Sequence, residues 1–252
     1  MTYCKPMTGS LASDQVEVRC FKAATGAAVN GTFSLLVLGR SSARAFAFAN
    51  QPTAASYSAP SAGSYNPVGG TMISRTGIGT YQVVFNSLGS KLAGKGGHVQ
   101  VNAVAPGKAY CKLGDEWGRS TNLAVYVQCY SVTGAPMDAK FTVLFLLPAP
   151  RLGYAYANLP TFTQYTADPY WSTNPDGSGV MVTRISQGVF DVAWFNAMDD
   201  FIGYGNIQVT ALGMYDNAQC KITNTYIARA GVKCFAANGA PADVPFTVML
   251  GS

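Results

Sequence analysis

The stretch VYVQCYSVTGAPMDAKFTVLFL (125–146) decides the fold of this 252-residue chain, because its pattern occurs three times. Each copy has a Cys, a second Cys 14 to 18 residues later, a turn and a strand-like apolar run. The other two copies end in GAAVNGTFSLLVL (26–38) and GAPADVPFTVML (239–250). A chain built by repetition is best analysed repeat by repeat. We name the copies X1 (4–38), X2 (111–146) and X3 (220–250).

A longer segment lies between the X copies and is itself written twice. The first copy runs from ARAFAFANQPT to HVQVNAV, and the second from RLGYAYANLPT to NIQVTAL. We name them Y1 (43–104) and Y2 (151–212), so the chain reads X1-Y1-X2-Y2-X3. Because there is one X more than Y, X1 must pack on the first Y-X unit or on a neighbour. An extra three-strand piece with open edges is suited to strand addition between chains.

The recurring runs alternate apolar and polar residues with a period of two, as half-buried strands require. Val16, Val18 and Cys20 fall on one face, with Glu17 and Arg19 on the other. The runs are short and are bounded by Gly, Pro, Asn and Asp, and no run has a 3.6-residue stripe. A Y segment followed by an X segment supplies roughly seven strands. The sequence therefore predicts an all-β protein of tandem immunoglobulin-like β-sandwich repeats.

The repeat also predicts the domain boundaries. Residues 1–147 form repeat unit 1 with an extra N-terminal half-unit (1–40), and residues 148–252 form repeat unit 2.

A weaker sub-repeat near 50 residues supports a second architecture, a small β-propeller. A propeller blade usually needs four strands, and several of these sub-repeats show only three. Tandem sandwiches are therefore favoured over the propeller.

The six Cys sit as one pair in each X segment. The repeat symmetry predicts three local disulfides, and it selects this pattern from the fifteen that six Cys allow. Zinc would need closer Cys spacing and usually His, whereas the chain has one His. We therefore expect no metal and no cofactor, and an extracellular or cell-surface location. The predicted pairs are Cys4–Cys20, Cys111–Cys129 and Cys220–Cys234.

The charge pattern bears on possible partners. The net charge of +5 arises from 17 basic and 12 acidic residues, and the basic residues are scattered. A nucleic-acid-binding protein usually clusters its Lys and Arg in one stripe, so we expect no nucleic-acid partner. No apolar run approaches the ~18 residues of a membrane-spanning helix, so no membrane span is expected.

Four segments resemble those of secreted, uncharacterised bacterial β-rich tandem-repeat proteins: AFANQPTAASY (47–57), GTYQVVFNSLG (79–89), GGHVQVNAV (96–104) and CYSVTGAPMDAKFTVLF (129–145). The resemblance covers nearly the whole chain. It implies export and a β-fold, and it carries no established activity and no catalytic residue. X1 departs from the pattern, since Asn30 stands where Asp138 and Asp243 stand in the other copies.

The loops at 53–72 and 161–180 are the best binding candidates, because they differ between the repeats while the flanking strands recur. Aromatic faces beside amides and carboxylates offer stacking and directional hydrogen bonds for sugar rings or peptides. The sequence therefore predicts non-catalytic recognition of a glycan or cell-surface polymer. The alternative for each aromatic is that it folds inward and caps the core. The candidate ligand-binding residues are Tyr57, Tyr65, Tyr165, Tyr170, Trp171, Asn174 and Asp176.

Two other functions remain open. One is a self-assembling structural or filament subunit, in which X1 completes a neighbour by strand addition. The other is an enzyme acting on polysaccharide or polyester, although the chain has no GxSxG, HExxH or phosphate-loop motif. Asp138, Asp243, Arg75 and Arg184 recur in matching places and are expected to be structural. The candidate catalytic residues are Asp115, Glu116, Asp199, Asp200 and His98.

Overall fold

The computed structural model describes residues 2–8, 15–23, 25–92, 94–104, 106–195 and 205–251. The described residues form an all-β protein of antiparallel sheets, with a single 3₁₀ turn at Gly89–Lys91 and no α-helix. The predicted all-β class is therefore confirmed. None of the described segments is a helix long and apolar enough to cross a membrane.

Y1 and X2 together form β-unit 1, in which two sheets share one core. The three-stranded sheet has the order β3-β11-β7, and the larger sheet has the order β4-β5-β6-β10-β8 with β9 paired to β10. Period-two alternation turns Ala47, Val101 and Val143 of the small sheet toward Val83 and Val125 of the large one. The strands are β3 (Arg44–Ala49), β4 (Ser56–Ser58), β5 (Thr71–Gly77), β6 (Thr80–Phe85), β7 (His98–Ala103), β8 (Tyr110–Leu113), β9 (Gly118–Arg119), β10 (Leu123–Tyr130) and β11 (Phe141–Leu146).

Y2 and X3 form β-unit 2 on the same plan. Its small sheet has the order β12-β19-β16 and its large sheet the order β13-β14-β15-β18-β17. Ala155, Val182, Val232 and Val248 meet in its core. The strands are β12 (Leu152–Ala157), β13 (Gln164–Thr166), β14 (Val180–Ser186), β15 (Val189–Trp194), β16 (Asn206–Ala211), β17 (Gln219–Tyr226), β18 (Arg229–Phe235) and β19 (Phe246–Gly251).

X1 repeats only part of this plan. Its strands β1 (Thr2–Pro6) and β2 (Val18–Lys22) form a two-stranded hairpin equivalent to β8 with β10 and to β17 with β18. Residues 33–38 match β11 and β19 in sequence, yet the described part of the chain contains no strand that pairs with them. A strand needs a partner to complete its ladder, and X1 has no Y segment before it within these residues.

The three predicted disulfides are confirmed. Each one joins residues that face each other directly across a hairpin: Cys4 with Cys20, Cys111 with Cys129, and Cys220 with Cys234. Closing loops of this size stabilises a fold by about 3 kcal/mol each in the chain-entropy model. Disulfides persist in oxidising environments, so the three bonds indicate an oxidising, extracellular setting.

X1 contacts β-unit 1 in the same way as β-unit 1 contacts β-unit 2. The Tyr3 hydroxyl donates to the Lys108 carbonyl over 2.7 Å, and the equivalent Tyr110 hydroxyl donates to the Asn217 carbonyl over 2.6 Å. Lys5 and Lys112, each one residue after a Cys, reach the same two loops. Lys5 donates to the backbone carbonyls of Gly107 and Ala109, and Lys112 pairs with Asp216.

A second set of contacts joins the parts into a ring. The Gln100 amide of β-unit 1 donates to the Thr247 carbonyl of β-unit 2 over 3.4 Å. The equivalent Gln208 of β-unit 2 donates to the Ser34 carbonyl of X1 over 3.1 Å. X1 therefore contacts β-unit 1, β-unit 1 contacts β-unit 2, and β-unit 2 contacts X1. The outward-facing side chains of the three X segments meet in one apolar cluster, which contains Leu36, Leu38, Leu144, Leu146 and Met249.

Candidate functional site

Tyr57 and Tyr165 occupy equivalent places in the short strands β4 and β13. Their half-buried rings pack against the two cores. Each hydroxyl accepts a hydrogen bond from a loop N–H, over 3.2 Å from Gln51 and 3.3 Å from Leu159. Burial raises the pKa of both tyrosines, to about 12 for Tyr165. Both residues thus stabilise the loops that follow β3 and β12.

Trp171 lies in the contact between the two β-units. It belongs to Y2, but its ring is 9% exposed and packs in the core of β-unit 1, 5.0 Å from Trp117 and 5.5 Å from Tyr156. The Trp117 indole donates to the Gly96 carbonyl, and a Cβ at Gly96 would lie 2.3 Å from the Trp171 ring. Burial of this extent leaves little of the Trp171 face for stacking on a ligand.

Asn174 and Asp176 hydrogen-bond within their own turn. The Asn174 amide donates to the Ser178 hydroxyl and to the Phe195 carbonyl, over 2.7 and 2.8 Å. Asp176 accepts from the backbone N–H and the hydroxyl of Ser178, both over 2.8 Å. Gly177 closes this turn with a positive φ of 81°, a conformation that favours glycine.

The remaining aromatic residues of the two candidate loops are Tyr65, Phe162 and Tyr170. Tyr65 packs 5.8 Å from Phe46 and lies under the Arg40 guanidinium at 5.4 Å. Phe162 and Tyr170 expose 55% and 37% of their surface, more than the other aromatics of loop 161–180. Phe162 belongs to the loop at 161–180 that the sequence predicts to be a binding loop.

Of the four acidic catalytic candidates, Asp115 and Glu116 lie in the described residues. Glu116 accepts a hydrogen bond from the Tyr156 hydroxyl over 2.9 Å, and Asp115 accepts one from the Glu116 backbone. Asp199 and Asp200 lie outside the described residues. Within the ranges that the structure describes, no cluster of three or more His, Cys, Asp or Glu side chains is placed to hold a metal ion.

His98 is fully buried between the two β-units. Its Nε2 lies 2.7 Å from the Gln100 amide nitrogen, and its Nδ1 lies 2.7 Å from the Thr247 hydroxyl. The Gln100 carbonyl oxygen accepts from the Thr210 hydroxyl, which directs its amide group toward His98. Nε2 therefore accepts, and Nδ1 carries the proton. Burial lowers the pKa of His98 to about 3, so the ring is neutral near pH 7.

The recurring Arg and Asp residues form one clamp in each β-unit. Arg75 makes a bidentate pair with Asp138 at 2.9 Å, and Arg184 makes the same pair with Asp243 at 2.8 to 3.0 Å. Each carboxylate also accepts a turn N–H, from Gly79 or from Gly188. The arginine hydrogen bonds hold the pKa of both carboxyls below its usual range. The clamps fix the X segment to the Y segment of the same β-unit.

The most unusual surface is formed by Phe33, Leu35 and Val37, which we name the exposed face of X1. These residues are 56%, 40% and 54% exposed. Their sequence equivalents are fully buried in the two cores: Phe141, Val143 and Phe145 in β-unit 1, and Phe246, Val248 and Leu250 in β-unit 2. The three segments match in sequence, whereas the exposure of each one depends on the tertiary structure.

An open groove runs beside the exposed face of X1. Its lining includes residues 33–38, Val16 and Val18 of X1, and Gln100, Thr142 and Leu144 of β-unit 1. The opposite face of the same segment is partly buried, since Leu36 and Leu38 pack against the cluster that contains Leu146, Leu152 and Tyr154. The segment is therefore anchored on one side and open on the side that its equivalents use for core packing.

Comparison of the chain with protein-family models, with curated proteins and with solved structures gave no match.

Proposed function

We propose that this protein is a non-catalytic extracellular assembly module that joins another polypeptide by strand pairing along residues 33–38. The main support is the contrast between the exposed face of X1 and its six buried sequence equivalents. Exposed apolar residues scattered singly are ordinary, but three in strand alternation on a segment that no described strand pairs with indicate an interaction surface. Attachment to a cell surface is part of this proposal.

The proposed architecture is two tandem β-sandwich repeats of immunoglobulin-like size, followed in the ring by an incomplete third. The support is that a three-stranded sheet and a sheet of five or six strands enclose one core in each β-unit. Propeller blades are usually four-stranded, so these strand counts favour sandwiches.

Strand pairing at X1 would bury apolar side chains and so contribute a favourable free energy of association. Complete burial of an aliphatic or phenyl side chain contributes about 1.5 to 3 kcal/mol. Phe33, Leu35 and Val37 are already about half buried, so together they would contribute roughly 2 to 5 kcal/mol, before any backbone hydrogen bonds form. An exposed edge with these side chains also pairs nonspecifically when its partner is absent.

Analytical ultracentrifugation of the disulfide-bonded chain over a hundredfold concentration range tests this proposal. We expect concentration-dependent association that Leu35→Asp abolishes. Ile78→Asp is the matched control, because Ile78 is 63% exposed in the hairpin turn between β5 and β6 and does not line the groove beside the exposed face of X1. Association that survives Leu35→Asp, or a monomer at every concentration, would show that residues 33–38 are not an assembly site.

A second candidate function is glycan recognition by Phe162 and Tyr170. The supporting observation is their exposure on the loop at 161–180, since flat aromatic faces stack on sugar rings. A glycan array with the parent protein and with Phe162→Ala plus Tyr170→Ala tests it. Equal binding by both proteins, or no binding by the parent, would remove this candidate.

A further inference from the structure

Each complete β-unit shows how an X strand is normally paired. β11 lies between β3, which begins Y1, and β7, which ends Y1. β19 lies between β12 and β16, which begin and end Y2. A single Y segment therefore supplies both neighbours of the X strand that follows it. Residues 33–38 are the third copy of that strand and have neither neighbour in the described chain.

The register of these pairs specifies the side chains on the neighbouring strands. Phe141 faces Ala49 on one side and Ala103 on the other. Phe246 likewise faces an alanine on each side, Ala157 and Ala211. Two residues further along, Val143 and Val248 face an alanine on one side and a valine on the other. A large ring between two small side chains fills the core without overpacking.

Two equivalent glutamine hydrogen bonds join the members of the ring, and they indicate where a third would form. Gln100 donates to the Thr247 carbonyl, and its equivalent Gln208 donates to the Ser34 carbonyl. Thr142 is the residue of X2 that corresponds in sequence to Ser34 of X1 and Thr247 of X3. It lines the groove beside the exposed face of X1. A third strand equivalent to β7 and β16 would place its own glutamine opposite Thr142.

We propose that the partner of X1 is a Y-type segment, and this inference rests on the proposed function. Such a segment supplies one strand of the pattern Ala/Gly-x-Ala-x-Ala and one of the pattern Val/Ile-x-Val-x-Ala. These two strands enclose residues 33–38 and place an alanine on each side of Phe33. The result is a third β-unit, which closes the ring with three equivalent members.

Asn30 provides an independent feature of this partner site. It is exposed and occupies the position of Asp138 and Asp243, which clamp an arginine of their own Y segment. An amide at this position accepts a turn N–H but forms no ion pair. The partner therefore docks on X1 without the arginine clamp, and an aspartate at position 30 would strengthen docking of a segment that carries the arginine.

A fused chain tests the partner directly. A copy of residues 43–108 is joined in front of Thr2, which reproduces the spacing from Y1 to X2 because Tyr3 corresponds to Tyr110. We expect amide hydrogen exchange of residues 34–38 to slow about 100-fold and to match residues 142–146. The control fusion carries Ala47→Asp and Val101→Asp in the added copy only, and it should leave the exchange of residues 34–38 fast.

Two further measurements test the Y-type partner independently of the hydrogen exchange of the fused chain. Asn30→Asp should raise the Tm of the fused chain, where the added copy supplies Arg75, and should leave the Tm of the original chain unchanged. If the added copy fails to fold, the peptide ARAFAFANQ (43–51) is added to the original chain, with the Ala47→Asp peptide as control. Slower exchange at residues 34–38 with the first peptide alone would support the inference.

The possible failures are distinguishable. If residues 34–38 exchange equally fast in the original and the fused chain, and the peptide gives no protection, the Y-type partner is wrong. The assembly function would still stand in that case, provided that Leu35→Asp abolishes the association of the original chain. If Leu35→Asp has no effect on association, the assembly function itself is wrong.

Discussion

Phe33 and Phe141 occupy the same position in two copies of one sequence, and Phe33 is 56% exposed whereas Phe141 is fully buried. The difference arises from their neighbours. Phe141 has Ala49 and Ala103 on the flanking strands, and Phe33 has no flanking strand in the described residues. Burial is therefore a property of the completed Y-X unit, and the X segment alone is insufficient for it.

The clamps predict a loss of stability in acid. Because Asp138 and Asp243 have lowered pKa values when folded, their contribution is complete above the unfolded pKa of about 3.9 and is lost as the pH falls through the folded values. Asp138→Asn with Asp243→Asn should flatten the Tm profile below pH 4. An unchanged profile would show that the clamps do not control acid unfolding.

The two clamps should differ in strength. Asp138 accepts an additional hydrogen bond from the Tyr81 hydroxyl over 3.0 Å, whereas Phe190 occupies the equivalent position in β-unit 2. Tyr81→Phe is therefore expected to lower Tm in the parent background and to lower it less once Asp138 is Ala, where the contacts of the Tyr81 hydroxyl with the Pro52 carbonyl and the Ala139 N–H remain. Thermal unfolding of the double-mutant cycle measures this coupling, and strict additivity would contradict it.

His98 predicts a separate loss of stability at milder pH. Its folded pKa of about 3 lies below the unfolded value of about 6.5, so its contribution is complete above pH 6.5 and is lost progressively toward pH 3. The expected loss is about 2 kcal/mol at pH 5. His98→Asn copies Asn206 of β-unit 2 and should remove this slope in urea unfolding curves, with the slope below pH 4 retained.

Trp171 should behave as a core residue. Trp171→Ala is expected to lower the free energy of unfolding by about 3 to 5 kcal/mol, because it empties the space between Trp117 and Tyr156. Tyr170→Ala is the matched control on the adjacent, more exposed ring and should cost about 1 kcal/mol or less. Chemical unfolding of both variants checks this, and equal losses would show that Trp171 is not part of the core.

The Cys4–Cys20 disulfide should be reduced first. Its hairpin has two strands, whereas the other two disulfides lie within sheets of five or six strands that bury Cys129 and Cys234 completely. Access of a thiolate limits exchange, so limited reduction followed by alkylation and mass spectrometry should label Cys4 and Cys20 before the others. Simultaneous labelling of all six would contradict this order.

The repeat spacing and the period-two alternation were sufficient to predict the all-β class and the three disulfides, because both depend on local sequence. The pairing of Arg75 with Asp138 was not predictable in the same way. Each residue was expected to be structural, but they are 63 residues apart, and only the assembled sheets bring them together.

The local sequence by itself determined the strands, their inward faces and the Cys pairs, since alternation and repeat symmetry act over a few residues. The tertiary structure decided what each copy does. Trp171 is buried because β-unit 1 lies against it, and Phe33 is exposed because no Y-type strand of the described residues lies beside it. The same apolar sequence becomes core or surface according to its neighbours, because burial removes side chains from water only where another layer covers them.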